Sequence, residues 1–577
     1  MARSHDNDGA AACERRMETD MTARHPSRVL LALGALTTAL AACGGDGDDA
    51  PATPAPTPTP LAACMALNGT TVAAADLSLP TRGAWITSAA LVLPGDAGNT
   101  NGEYCKVLGA IKPTDATAPD IRFQVNLPST WNGKALQFGG GGYNGSIPNT
   151  VTKAPLGSDT APVPLAQGYM TLASDSGHQA ADADDASFAL NDEALLNFGY
   201  MHIKKTRDVA VALARSRYGS APKRMYYAGG STGGREALTA ALRFPEAYDG
   251  VIGNYPTANF LGLRLWGAAL ARAVYDNSSA GWIPPAMVSE IANRALQRCD
   301  ALDGVADGLV SNMPGCRAIS AQLVSDLSCK AGETGNPTTC LTPVQISKTL
   351  SVYHDGYTLP YAFANNITRY LGYNSLEGIT MQLGSQAAYI EPPVSGPNAH
   401  HVSRADQFVK YFVARNPAFN LLTLDIQNPG IYQNRIVELS DTIGATSSDY
   451  TKFKDRGGKV LWVQGQDDPS VSPYANAELY GAVVTRYGQA AADTFMRFYL
   501  IPGLAHGNGK FLLAWDNLAI LDDWVEGKQS PPATPVGFDS NTATKGRSRP
   551  VCVYPTWPKY NGTGDINAAA SYTCARS

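Results

Sequence analysis

Arg224-Met225-Tyr226-Tyr227-Ala228 favours a strand, and it passes at once into Gly229-Gly230-Ser231-Thr232-Gly233-Gly234, after which Arg235-Glu236-Ala237-Leu238 opens a helix-forming stretch. Strand, tight turn, helix is the arrangement that constrains this chain most. The G-x-S-x-G at Gly229 to Gly233 fits a nucleophile elbow, in which small neighbours allow a sharp, strained turn and present the serine at the head of a helix. A glycine-rich turn after a strand is common by itself; the elements on either side give it meaning. Upstream, the apolar period of Leu195, Phe198, Val209, Val211 and Leu213 predicts a helix between Glu193 and Tyr218, closed by Gly219 and Pro222.

A serine nucleophile needs a base and a group to orient that base, and α/β-hydrolase folds supply them in the order Ser, Asp, His. Lys459 to Val463 is a buried-strand pattern that ends in Gln464-Gly465-Gln466-Asp467-Asp468-Pro469. A second strand, Phe495 to Ile501, runs into Pro502-Gly503-Leu504-Ala505-His506-Gly507. An acid of the Asp467-Asp468 pair and His506 thus stand where parallel sheets present catalytic groups. His178, His202, His354, His400 and His401 precede the acid or lack such a loop, and are read as structural or solvent-facing.

Lys134 to Phe138 reads as a strand opening into Gly139-Gly140-Gly141-Gly142-Tyr143. Backbone N–H groups of Gly141 and Gly142, with that of Thr232 after the nucleophile, are the expected oxyanion donors. The glycine run lacks the G-K-[ST] ending of a phosphate loop.

Between Pro256 and Lys454 lie residues that a bare hydrolase core does not require, and residues 257–454 are expected to form a lid domain on a catalytic domain of 64–256 and 455–577. Inside the lid, Asp300, Asp303 and Asp307 recur at intervals of three and four among glycines. Hard carboxylate oxygens interleaved with backbone carbonyls suit Ca²⁺ over zinc or iron. The alternative is an acidic turn without an ion. The lid carries the apolar and aromatic groups Phe260, Trp266, Phe408, Tyr411 and Phe412, under which a substrate is expected to lie, and Arg404 either pairs with a substrate carboxylate or, the simpler reading, is a solvated lid arginine.

Starting from Met17 or Met21, Arg24 and Arg28 precede an apolar run from Val29 to Ala42 that ends Leu40-Ala41-Ala42-Cys43 and resembles a bacterial lipobox. The run is too short for a permanent membrane span. Residues 1–42 are therefore expected to be a signal peptide, Cys43 the lipidated N-terminus, and 43–63 a Pro/Thr-rich tether. The expected location is exported: an outer-membrane lipoprotein, in the periplasm or at the cell surface, touching membrane only through the lipid. With 45 basic against 50 acidic residues, the 577-residue chain has no basic footprint for nucleic acid; it is expected to be a monomer.

In an oxidising compartment the eight remaining cysteines, Cys64, Cys105, Cys299, Cys316, Cys329, Cys340, Cys552 and Cys574, are read as disulfides. They allow 105 pairings, of which sequential neighbours are the simplest set.

Several segments resemble the tannase and feruloyl esterase family: Ser174-Asp175-Ser176-Gly177-His178, Asn197-Phe198-Gly199-Tyr200, Gly230 to Arg235, Asp468-Pro469 and Pro502 to His506. The similarity runs from about Cys64 to Cys574. It implies an α/β-hydrolase fold with a large inserted lid, Ser231 as nucleophile, Asp468 as acid and His506 as base. It also implies a structural Ca²⁺ held by Asp300, Asp303, Asp307 and the carbonyls of Val305 and Leu309, and the sequential disulfides 64–105, 299–316, 329–340 and 552–574.

Members of the family commonly carry a cysteine before the serine and another after the histidine, joined across the active site. Here those places are Gly230 and Gly507, which the resemblance expects to be neighbours. The reading is an exported serine esterase acting on small esters of aromatic acids, of feruloyl, galloyl or terephthalate monoester type. A short-chain lipase or peptidase of the same fold, or a catalytically silent surface-binding lipoprotein, is the alternative.

Overall fold

The computed structural model describes residues 59–331 and 339–576. The expected signal peptide, the lipidation site at Cys43 and nearly all of the tether lie outside the described residues. One mixed sheet carries the fold. Its strands are β1 (Thr71–Val72), β2 (Ala84–Val92), β3 (Tyr104–Ile111), β4 (Ile121–Pro128), β5 (Lys134–Phe138), β6 (Met170–Ser174), β7 (Arg224–Gly230) and β8 (Gly250–Asn254). After a small separate hairpin, β9 (Gly356–Thr358) and β10 (Arg369–Leu371), the sheet resumes with β11 (Lys459–Gly465) and β12 (Met496–Ile501).

The spatial order is β1-β2-β3-β4-β6-β5-β7-β8-β11-β12. The first four strands and the β4–β6 pairing are antiparallel, whereas β6, β5, β7, β8, β11 and β12 run parallel. Parallel neighbours need crossovers, and helices Thr232–Arg243 and Pro473–Tyr487 supply two of them. Covered by helices, β7 and β11 are buried along nearly their whole length, which is why both read as near-continuous apolar runs. The expected helix upstream of β7 is present but interrupted, since Asn197–Met201 forms a π turn before His202–Tyr218, and Gly219 closes it at φ 73°.

Between Asn254 and Lys459 the chain leaves the sheet. The insertion builds its own core on helix Phe260–Ser279, in which Gly267 lets helix His400–Phe408 approach; a Cβ there would stand 2.5 Å from the His401 carbonyl oxygen. Phe260, Trp266, Phe408 and Phe412 are fully buried in this core, and Tyr411 packs against it. Phe260 and Phe412 meet Tyr143 and Phe198 of the sheet-bearing part, with ring centroids 5.7–5.9 Å apart. The expectation that these aromatics lie over the substrate is corrected: Phe260 and Phe412 join the insertion to the sheet-bearing part, while Trp266 packs on Tyr353, Tyr373 and His401, and Phe408 on Phe260 and Phe412, within the insertion.

All four disulfides are the sequential ones, with Cα separations of 5.6, 5.2, 4.9 and 5.6 Å for 64–105, 299–316, 329–340 and 552–574. These are separations a disulfide spans without backbone movement. Among the described residues no helix is long and apolar enough to cross a membrane.

Candidate active site

Ser231 follows the last residue of β7 and adopts φ 58°, ψ −121°, a strained conformation for a non-glycine residue. The turn closes only because its neighbours are small: a Cβ on Gly229 would lie 2.3 Å from the Gly233 carbonyl carbon, and one on Gly233 2.7 Å from the Gly140 oxygen. The strain is held from both sides, as Ser231 N–H donates to Asn254 O at 3.0 Å and Ser231 O accepts from Arg235 N at 3.0 Å and Thr257 N at 3.1 Å.

Asp468 lies beyond the end of β11 and is fully buried. Its Oδ1 accepts from the Ser470 and Val471 amides at 2.7 and 2.9 Å, and its Oδ2 lies 2.8 Å from His506 Nδ1. That geometry fixes the imidazole so that Nε2 is turned away from the acid. His506 comes from the loop after β12, and it shares with Ser231 a cavity of about 410 Å³. Among the described residues the Ser231 hydroxyl makes no hydrogen bond; such contacts often tighten only when substrate binds.

Gly141 and Gly142 line the same cavity, reached from the carboxyl end of β5. Gly142 has φ 60°, and its carbonyl accepts from Thr232 Oγ1 at 2.6 Å, so the glycine loop is tied to the residue after Ser231. The amides of Gly141, Gly142 and Thr232 donate to no protein group among the described residues.

The sequence reading did not single out the group that anchors this loop, Glu236. Fully buried, it accepts from Gly140 N at 3.0 Å, Tyr227 Oη at 2.9 Å and Asn144 Nδ2 at 2.7 Å, with His202 Nε2 at 3.5 Å. Burial alone would raise its pKa, but His202, Arg235 and Asn144 bring it down to about 2. An acid five residues after Ser231, in the second turn of the helix Thr232–Arg243, was the only local signal. Tyr255, also missed, sits after β8 with φ 35°, and its ring centroid is 4.7 Å from that of His506. Arg404, expected in solvent, instead borders the cavity with Nε 2.8 Å from Asp184 Oδ1.

These residues all sit at the carboxyl edge of the parallel strands, where such sheets bind ligands. The family model described as tannase and feruloyl esterase matches residues 105–575. The chain belongs to the tannase and feruloyl esterase family. As a member of it, the chain is a carboxylic ester hydrolase. An uncharacterized esterase of Agrobacterium fabrum is 61% identical over 513 residues, covering 89% of this chain and 93% of that one. The mono(2-hydroxyethyl) terephthalate hydrolase of Piscinibacter sakaiensis is 30% identical over 574 residues, with 89% and 92% covered. Among solved structures, feruloyl esterase B from Aspergillus oryzae superposes with a TM-score of 0.72 at 22% identity, over 90% of this chain and 100% of that one, which shows the tannase and feruloyl esterase fold.

The acidic turn of the insertion is organised around its own backbone. Asp300 Oδ1 accepts from Asp307 N at 3.2 Å and Gly308 N at 3.0 Å, Asp303 Oδ1 from Val305 N at 3.2 Å, and Asp307 Oδ1 from Leu309 N at 3.1 Å. Asp307 Oδ2 also meets Arg549 and Tyr572. Among the described residues no group of three or more His, Cys, Asp or Glu is gathered in a way that holds a metal through side chains alone. Asp303 Oδ2 is nevertheless buried without a partner, and burial, reinforced by Asp307 and Asp300, pushes that carboxyl up to about 6. An orphaned, crowded carboxylate fits a hard cation, while of the two expected carbonyl ligands Leu309 O already accepts from Ser311 N at 3.1 Å.

Proposed function

We propose that this esterase is exported and hydrolyses esters of aromatic acids, of feruloyl, galloyl or terephthalate monoester type, through an acyl-enzyme on Ser231. The observation that carries the reading is the 2.8 Å contact between Asp468 Oδ2 and His506 Nδ1 beside a cavity that Ser231 also lines. A cavity of about 410 Å³ suits a single-ring ester, and similarity to a mono(2-hydroxyethyl) terephthalate hydrolase and to feruloyl esterases supports the substrate class.

Ser231 Oγ attacks the ester carbonyl while His506 Nε2 takes the hydroxyl proton. Asp468 holds the Nδ1 proton and stabilises the imidazolium that forms. The negative charge on the carbonyl oxygen is met by N–H groups of Thr232 and of Gly141 or Gly142, which donate to no protein group among the described residues. His506 then returns the proton to the leaving alcohol. In the second half water attacks the acyl-enzyme, His506 accepts its proton, and collapse of the tetrahedral adduct frees the acid and Ser231.

A bound Ca²⁺ would be held by Asp300, Asp303 and Asp307 with the carbonyls of Val305 and Leu309, supplying structural charge compensation and taking no part in the chemistry. Four disulfides support export, and lipid labelling lost in Cys43→Ser tests the anchor.

Turnover of a chromogenic phenyl ester, lost in Ser231→Ala, tests the mechanism. A panel of gallate, ferulate, chlorogenate and terephthalate monoesters tests the class. Turnover that survives in Ser231→Ala would overturn the serine mechanism.

A further inference from the structure

Arg264 stands in the second turn of helix Phe260–Ser279 and is only 4% exposed. The guanidinium carbon lies 4.5 Å from the ring centroid of Phe260 and 5.1 Å from that of Tyr143. Aromatic faces of this kind sandwich the flat surfaces of the guanidinium but leave its N–H edge unanswered. Among the described residues no hydrogen bond or ion pair joins Arg264 to the protein, and its Nε is buried without a partner.

The other buried arginines are treated differently. Arg235 donates to the carbonyls of Phe198, Gly199 and Ile443, Arg547 to Asp539, and Arg549 to Asp307. A buried cation without a counter-charge is strongly unfavourable, so a fold keeps one only where something else compensates it. Asp184, the acid nearest to hand, is engaged by Arg404.

The free edge of Arg264 belongs to the wall of the cavity that holds Ser231 and His506. Arg404, His400 and His401 border it too, and no carboxylate is among its lining residues. Burial and the neighbouring arginines lower the pKa of both histidines, so they stay neutral and Arg264 remains the uncompensated charge.

We infer that Arg264 receives an anionic group of the substrate, so that the preferred esters of this enzyme carry a free carboxylate. This rests on the esterase reading of the same cavity. The carboxylate belongs either to the acyl half, as in a monoester of a benzenedicarboxylic acid, or to the alcohol half, as in chlorogenate. A guanidinium edge pairs with either through two parallel N–H donors.

The experiment uses the full chain with Arg264→Leu and Arg264→Lys. Monoethyl terephthalate is compared with diethyl terephthalate, and chlorogenate with its methyl ester. For the half that bears the anion, the kcat/KM ratio of charged over neutral ester falls about 10- to 100-fold in Arg264→Leu and is partly restored in Arg264→Lys. Whichever pair moves identifies the half. Since the charge is uncompensated in the free enzyme, Arg264→Leu melts no lower than the parent; a lower melting temperature with both ratios unchanged would overturn the inference by making Arg264 a structural residue. Calorimetric binding of terephthalate to Ser231→Ala, weakened by adding Arg264→Leu, gives a readout without turnover. If that binding is absent or indifferent to Arg264 and neither kinetic ratio moves, the anion site falls; if it holds while the parent enzyme turns over no ester, the site stands and the serine esterase reading falls instead.

Discussion

The ring of Tyr255 lies against His506, with centroids 4.7 Å apart and planes tilted by 54°, and it fills the space between Gly230 and Gly507. A Cβ on either glycine would stand 2.8 Å from Tyr255 Oη, so the two positions are no further apart than twice that distance. The neighbourhood expected from the family cysteine pair therefore exists, but a phenol ring occupies it.

This changes what cysteines there will do. In Gly230→Cys with Gly507→Cys the thiols meet the ring, and Gly507, at φ 76°, resists a side chain. Two free thiols per folded molecule are expected with Tyr255 in place, and a disulfide once Tyr255→Ala clears the gap. Tyr255→Ala alone should lower kcat by about 10- to 100-fold through a less well held imidazole. A thiol assay checks the first point; oxidation with Tyr255 present would show that the ring yields.

The triad is tested by its near neighbours. Ser231→Ala or His506→Ala should reduce kcat by on the order of 10⁶, and Asp468→Asn by on the order of 10⁴. An amide at 468 must turn an NH₂ toward either the Ser470 and Val471 amides or His506, all of which now donate to the acid. Asp467, whose amide donates to Leu504 O at 2.9 Å, serves as the control, and Asp467→Asn should be mild in steady-state kinetics.

Chelation bears on the acidic turn. Lys510, four residues after His506, donates to Gly308 O at 3.2 Å, and Leu309 packs under Gly503, so this turn braces the histidine loop. EDTA should lower the melting temperature and raise proteolysis between Pro256 and Lys454, with Ca²⁺ restoring both and Asp303→Ala mimicking the loss. A melting curve indifferent to chelator and to Ca²⁺ would count against the site.

Glu236 makes the glycine loop acid-sensitive. Its folded pKa of about 2 lies below the ordinary 4.5, so its contribution is fully present above pH 4.5 and is lost as pH falls from there towards 2. Glu236→Gln should therefore melt below the parent at pH 6, and the gap should narrow through that window. Thermal melts of both proteins from pH 6 to pH 2.5 measure it; a constant gap would mean that ionisation of Glu236 contributes nothing.

What the sequence determined by itself was local: the elbow around Ser231, the strand runs that end at Asp468 and before His506, and the Gly141-Gly142 loop. Each rests on turn chemistry and on runs of buried-strand residues, which neighbouring positions dictate. The cysteine pairing stayed open to sequence arithmetic and was named through the family resemblance; only the tertiary structure places the four pairs within bonding distance. Packing also decided that Phe260 and Phe412 form the joint between insertion and sheet, that Trp266 and Phe408 fill the insertion's own core, and that none of the four walls the cavity. It decided as well that Tyr255 stands between two glycines, that Glu236 holds Gly140, and that Arg264 alone among the buried arginines discussed lacks an acceptor. These relationships join residues tens to hundreds of positions apart. Whether a buried charge is answered depends on which distant groups the completed fold brings to it, and no spacing within the chain encodes that.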